Sequence, residues 1–197
     1  PLWATMGAGL CSSDVRPTRS PPPPPTASSR GSQLLCHIED GKVAGAAVGN
    51  SIIFYQTSTV RKLKVLDGHC GPVTCLLTVG DALFSGSIDK TIKKWNPLEP
   101  KVLCTLEGHK EAVWSLLVVS GLLLSSSQDK TIKQWDPSSG TLLASFEGHA
   151  GPVRSLMAAD DKVFSASEDW TVRKWDPKSG QLLASIQGHA GEVCCML

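Results

Sequence analysis

Four Gly-His pairs, ending in His69, His109, His149 and His189, recur every 40 residues along this chain. Trp95, Trp135 and Trp175 keep the same interval, and so do Asp89, Asp129 and Asp169. A fixed period of this length marks stacked supersecondary units. Each unit is too small to bury its own apolar side and is completed by its neighbour.

Each unit reads as four short strands. Between His109 and His149 the apolar run "AVWSLLVV" is followed by "LLLSS" after Gly121. "TIKQW" follows the turn at Gln128–Asp129, and "TLLASF" follows "DPSSG". Runs of about five residues split by Gly, Asp and Pro predict all-β structure. No stretch combines helical periodicity with capping residues.

An upstream copy emerges when Gly45–Tyr55 is laid on Ser85–Trp95 without a gap. Ile52 matches Ile92 and Tyr55 takes the tryptophan position, while Gly49 replaces the aspartate and Ser29 falls where the histidine belongs. The apolar frame survives there and the polar set is lost. The predicted organisation is a disordered proline-rich tail at 1–32, a degenerate unit at 33–68 and three well-formed repeats at 69–108, 109–148 and 149–188. A further repeat starts at 189–197. The five prolines at 21–25 cannot donate backbone hydrogen bonds, so that segment is expected to be an extended linker or a ligand for a proline-binding groove.

Composition excludes several functional classes. With 19 Lys+Arg against 18 Asp+Glu, the net charge of +1 argues against broad electrostatic binding of nucleic acid or of acidic membranes. No apolar run approaches the roughly 18 residues needed to span a bilayer. The seven cysteines include no CxxC pair and form an odd set. They are therefore expected to be reduced thiols in an intracellular protein, cytoplasmic or nuclear, without a structural zinc site.

The words "SGSIDKTIKKWN", "SSSQDKTIKQWD" and "SASEDWTVRKWD" carry the repeated aspartate and tryptophan. With the Gly-His pairs they resemble the WD40 repeats, over roughly residues 33–197. The resemblance implies an all-β fold of β-propeller blades, each a four-stranded antiparallel sheet. Such propellers usually have seven or eight blades, so this chain is expected to form an incomplete, open arc and to be a fragment of a longer protein, the alternative being that copies of it associate to complete a ring.

In that family four polar side chains of a blade join in one hydrogen-bonded set. Carried over, the sets are His69, Ser85, Asp89 and Trp95; His109, Ser125, Asp129 and Trp135; and His149, Ser165, Asp169 and Trp175. Ser127 is an alternative for the serine of the middle set. A carboxylate that accepts from an imidazole, a bridging hydroxyl and an indole donor make such a network chemically complete. Ser, His and Asp together also resemble a hydrolase triad. Here, however, the set recurs three times, always with a tryptophan, and without a Gly-x-Ser-x-Gly elbow. An enzyme needs one convergent site, so these residues are expected to be structural, with no catalytic, cofactor or metal role.

The resemblance also implies that partner proteins bind loops on one propeller face. The contact positions are the third and fifth residues after the histidine and the residue before the turn aspartate. They are Pro72, Thr74 and Ile88; Ala112, Trp114 and Gln128; Pro152, Arg154 and Glu168; then Glu192 and Cys194. Trp114 is either a contact or a core residue between blades, and Trp170 either a contact or packing on a neighbouring loop. The implied function is a non-catalytic protein-interaction scaffold without a small-molecule substrate. The alternative is a substrate-recognition or regulatory module of a larger enzyme, such as a ubiquitin ligase or kinase. Lys94, Gln134 and Lys174 depart from the family, which usually has an aliphatic residue before the tryptophan. On a strand covered on both faces these side chains must snorkel or find partners.

Overall fold

The computed structural model describes residues 35–38, 43–97, 99 and 101–195. The proline-rich tail and Ser29 lie outside the described residues. Among the described residues, sixteen strands form four separate sheets and there is no helix. The first sheet holds β1 (Leu35–Ile38), β2 (Val43–Val48), β3 (Ser51–Gln56) and β4 (Lys62–Leu66). The second holds β5 (Val73–Val79), β6 (Ala82–Ser87), β7 (Ile92–Asn96) and β8 (Lys101–Leu106). The third holds β9 (Val113–Val119), β10 (Leu122–Ser127), β11 (Ile132–Trp135) and β12 (Leu142–Phe146). The fourth holds β13 (Val153–Ala159), β14 (Lys162–Ser167), β15 (Val172–Trp175) and β16 (Leu182–Ile186).

Every sheet is an antiparallel meander in chain order. Tight turns make this possible: Ser120 and Gly121, and again Asp160 and Asp161, all take positive φ. Two such residues in succession match the right-handed twist of the strands that they join. A bulge precedes the aromatic residue of the third strand in each sheet, between Phe54 and Tyr55, Lys94 and Trp95, Gln134 and Trp135, and Lys174 and Trp175.

The core lies between sheets. Ile52, Phe54 and Leu66 of the first sheet pack on Val73, Leu83 and Trp95 of the second. Phe84, Ile92 and Leu106 of the second pack on Val113, Leu123 and Trp135 of the third. Leu124, Ile132 and Phe146 of the third pack on Val153, Val163 and Trp175 of the fourth. Each tryptophan therefore faces the preceding sheet. The succession does not close into a ring. Leu66, Leu106 and Phe146 are at most 2% exposed, whereas Ile186, at the matching position of the fourth sheet, is 49% exposed.

Lys94 and Gln134, the polar residues before two of the tryptophans, find partners in the next blade. Lys94 Nζ donates to the carbonyls of Pro137, at 2.8 Å, and Ser138, at 3.2 Å. Gln134 Nε2 donates to the Pro177 carbonyl. In the first sheet the matching position is the apolar Phe54, and its cross-strand neighbour Lys64 supplies the donor to Pro97 O instead, at 2.9 Å. One donor per junction thus satisfies a turn carbonyl of the following blade.

Candidate interaction surface

The turns between second and third strands lie at one end of the blades, with the Gly-His loops that enter each sheet. There the structure brings together the three polar sets. His109 Nδ1 lies 2.8 Å from Asp129 Oδ2, and its Nε2 lies 2.7 Å from Ser125 Oγ. Trp135 Nε1 donates to the same Ser125 Oγ at 2.8 Å. The other two sets repeat this. Distances from His69 to Asp89 and Ser85 are both 2.7 Å, as are those from His149 to Asp169 and Ser165. Trp95 and Trp175 donate to Ser85 and Ser165 at 2.7 and 2.8 Å. Because an ionised carboxylate can only accept, the imidazole N–H facing the aspartate is at Nδ1, and the serine hydroxyl, which accepts from the indole, donates its hydrogen bond to Nε2.

The middle serine is Ser125, not Ser127. Ser127 instead accepts from the Asp129 amide at 3.0 Å and donates to Glu111 O at 3.1 Å. Ser87 and Ser167 do the same in their blades. Sequence reasoning missed Thr91, Thr131 and Thr171, each two residues after an aspartate. Their hydroxyls donate to aspartate Oδ1 at 2.6 Å and their amides at 3.0 Å. They keep the 40-residue period too, which was the available signal.

Electrostatics follow from this wiring. Burial pushes the Asp89 carboxyl up, but hydrogen bonds from Thr91, His69 and the Cys70 amide outweigh it and hold the group down at about 2. Burial opposes ionisation of Asp129 and Asp169 as well, and their hydrogen bonds hold both below the ordinary carboxylate range. Burial lowers His69 and His149, outweighing the aspartate beside each. Each of the three imidazoles is held between a hydroxyl and a carboxylate and lies beside a buried indole.

The neighbouring loop positions are set side by side by backbone bonds. Ile88 N donates to Pro72 O, Gln128 N to Ala112 O and Glu168 N to Pro152 O, at 2.9 to 3.0 Å. Thr74 is engaged internally, its hydroxyl bonding Val113 O of the next blade. Ala112 is buried, Gln128 half-buried, and Ile88 is 39% exposed. Glu192 and Cys194 are exposed. Trp114 and Arg154 meet across two blades: the guanidinium lies 4.2 Å from the indole centroid. Arg154 Nε donates to Glu168 Oε1 at 2.6 Å, and Nη2 also reaches that oxygen. Trp114 is half-buried, and its Nε1 is buried without a partner among the described residues. Trp170 projects outward at 55% exposure.

Comparison with known proteins agrees with this geometry. "Crystal structure of RRP9 WD40 repeats" and "Structure of U3-55K" each superpose with a TM-score of 0.75 at 30% identity. They cover 84% of this chain and 55% and 56% of their own. "Crystal structure of WD40 beta propeller domain of Doa1" superposes at 0.70 with 30% identity, over 81% of this chain and 55% of that one. The Arabidopsis thaliana zinc finger CCCH domain-containing protein 62 is 38% identical over 65 residues, which is 30% of this chain and 16% of that protein. Its protein 59 is 40% identical over 58 residues, 27% of this chain and 12% of that protein. This chain thus spans about half of the solved propellers and a small part of those curated relatives. The WD domain, G-beta repeat signature matches residues 60–96, 100–136 and 140–176, more than half of the chain, which therefore belongs to the WD40-repeat family.

Proposed function

We propose that this chain is a non-catalytic scaffold that binds other proteins through the loop face carrying Trp114, Gln128, Arg154 and Glu168. WD40 propeller structure is typical of such scaffolds. The observation that carries the reading is the Trp114–Arg154–Glu168 cluster, an indole, a guanidinium and a carboxylate held together at the solvent boundary of two blades. Trp and Arg are the residues most enriched at energetically dominant contacts. The polar sets beneath are repeated three times and internally satisfied, which suits architecture and not turnover. Cys70, Cys75, Cys104 and Cys195 form no disulfide, which is compatible with a reducing compartment, the cytoplasm or nucleus.

The test is recovery of partner proteins from a lysate by the parent chain and by a Trp114→Ala, Arg154→Ala double variant. Lys178→Ala, in the turn between β15 and β16 at the other end of the blade, is the control. The double variant is expected to lose the partners and the control to keep them. Equal recovery by all three overturns the reading.

A further inference from the structure

The bulge in each sheet adds one residue to the fourth strand, and in all four sheets that residue is a leucine. Trp95 pairs with Val102 and Lys94 with Cys104, which leaves Leu103 outside the register. The same skip isolates Leu63, Leu143 and Leu183. These four positions keep the 40-residue period and are 41 to 51% exposed. The first strands of neighbouring sheets meet, β1 with β5, β5 with β9 and β9 with β13, so the fourth strands lie at the outer rim. Leu103 and Leu143 belong to sheets packed on both sides, so their exposure is a property of the rim itself.

A cation is tied to each of these two edge strands. Lys93 pairs across the ladder with Thr105, two residues after Leu103, and its Nζ donates to the Thr105 hydroxyl at 2.9 Å. Lys133 does the same with Ser145, two residues after Leu143, at 3.3 Å. Two residues along a strand span about 7 Å, so leucine and ammonium fall within the footprint of one partner element. Among the described residues neither ammonium has a carboxylate partner. Bulges and lysines guard open edges against strand pairing, but an outward leucine at every bulge adds apolar surface that such protection does not require.

We infer that the rim of the second and third sheets docks an amphipathic helix of a partner protein, apolar along one side and acidic beside it. The bulges interrupt the regular edge that an added strand would need, which leaves docking through side chains. A helix supplies apolar anchors at i, i+3, i+4 and i+7 for the leucines. Lys93 and Lys133 select carboxylates beside those anchors. One half-sunk leucine per sheet offers little hold on a bilayer, where binding grows with the apolar area buried. The rim surface goes beyond the loop face and does not depend on it.

The probe is a synthetic helical peptide with leucines along one side and glutamates flanking them. One control peptide has serine for leucine, and another has lysine for glutamate. Titration into the isotopically labelled full chain is followed by nuclear magnetic resonance at the leucine methyl groups, which Leu103→Ala and Leu143→Ala variants assign. The acidic peptide is expected to move the Leu103 and Leu143 methyl signals, and both controls to leave them in place. Each leucine variant is expected to weaken binding about three- to five-fold, read at the amides that still shift. Lys93→Gln and Lys133→Gln, which leave every leucine in place, are each expected to weaken it about two- to three-fold, and added salt to weaken it further. Unmoved methyl groups, equal binding of the lysine-bearing control, or unchanged affinity in all four variants overturns the inference. So does a response to anionic lipid vesicles, or self-association in sedimentation, without one to the peptide. The Trp114→Ala, Arg154→Ala variant is expected to bind the peptide like the parent. Loss of peptide binding there moves the peptide to the loop face and sinks the rim site, while the scaffold reading stands.

Discussion

Lys94 Nζ in the second blade donates to Pro137 O in the third across 2.8 Å. The same ammonium lies 5.8 Å from the Phe84 ring centroid. A buried carbonyl without a donor costs free energy comparable to a lost hydrogen bond, so the lysine here satisfies a turn and does not merely tolerate burial. Lys94→Met, which keeps the stem and removes the donor, is expected to destabilise the chain by about 1–2 kcal/mol in chemical denaturation. Lys174→Met is expected to cost less, because among the described residues its ammonium meets the Phe164 ring and no turn carbonyl. Equal losses in the two variants would show that the interblade bond adds nothing.

This bond also marks the limit of what was legible in the sequence. The 40-residue period exposed the repeated units, and the resemblance to WD40 repeats implied the tetrads and the loop positions. Lys94 and Gln134 were visible as polar residues on a covered strand, but their acceptors were not, since Pro137 and Pro177 sit in the following blade. Lys64 was hidden more deeply. It replaces the donor from the neighbouring strand, and only the Phe54–Lys64 register reveals the exchange. Trp114 resisted a single reading because it is half-buried, with its ring both packed and capped by Arg154.

Asp129 accepts from His109, Thr131 and two backbone amides. Asp129→Ala therefore strands several donors at once and is expected to cost about 1–3 kcal/mol. Thr131→Val removes one donor while keeping the shape, and the expected loss is about 1 kcal/mol. Thermal melting of both variants checks the order, which reverses if the aspartate acts only as a turn residue.

Acid should weaken the fold in two stages. His69 and His149 are held below their ordinary pKa, so on acidification from pH 7 the unfolded chain takes up protons first. Stability is therefore expected to fall as the pH drops below about 6.5, the ordinary histidine value. Asp89, held at about 2, contributes stability that is present above the ordinary aspartate value and lost as the pH falls toward 2. Melting temperature against pH should decline from pH 7 to 5 and again below 4. A His149→Gln variant should flatten the first decline. A curve unchanged between pH 7 and 5 would mean that these imidazoles titrate alike in both states.

Ser126, Gly86 and Ala166 occupy one position in successive blades, inside the sheet boundary. Ser126 Oγ is buried with no hydrogen-bond partner among the described residues, although Ala166 at the matching site packs at 0% exposure. Ser126→Ala removes an unsatisfied hydroxyl and leaves a methyl that the next blade already accommodates. It is expected to be neutral or to stabilise by up to about 1 kcal/mol. Gly86→Ala should behave oppositely, because a Cβ there would lie 2.6 Å from Cys75 Sγ and 2.7 Å from Val113 Cγ1. Overpacking of that kind costs about 1–3 kcal/mol. Denaturant midpoints of the two alanine variants should therefore move in different directions from the parent. A clear loss in Ser126→Ala would require a hydrogen-bond partner for its hydroxyl, while an unchanged Gly86→Ala would require Cys75 and Val113 to yield without strain.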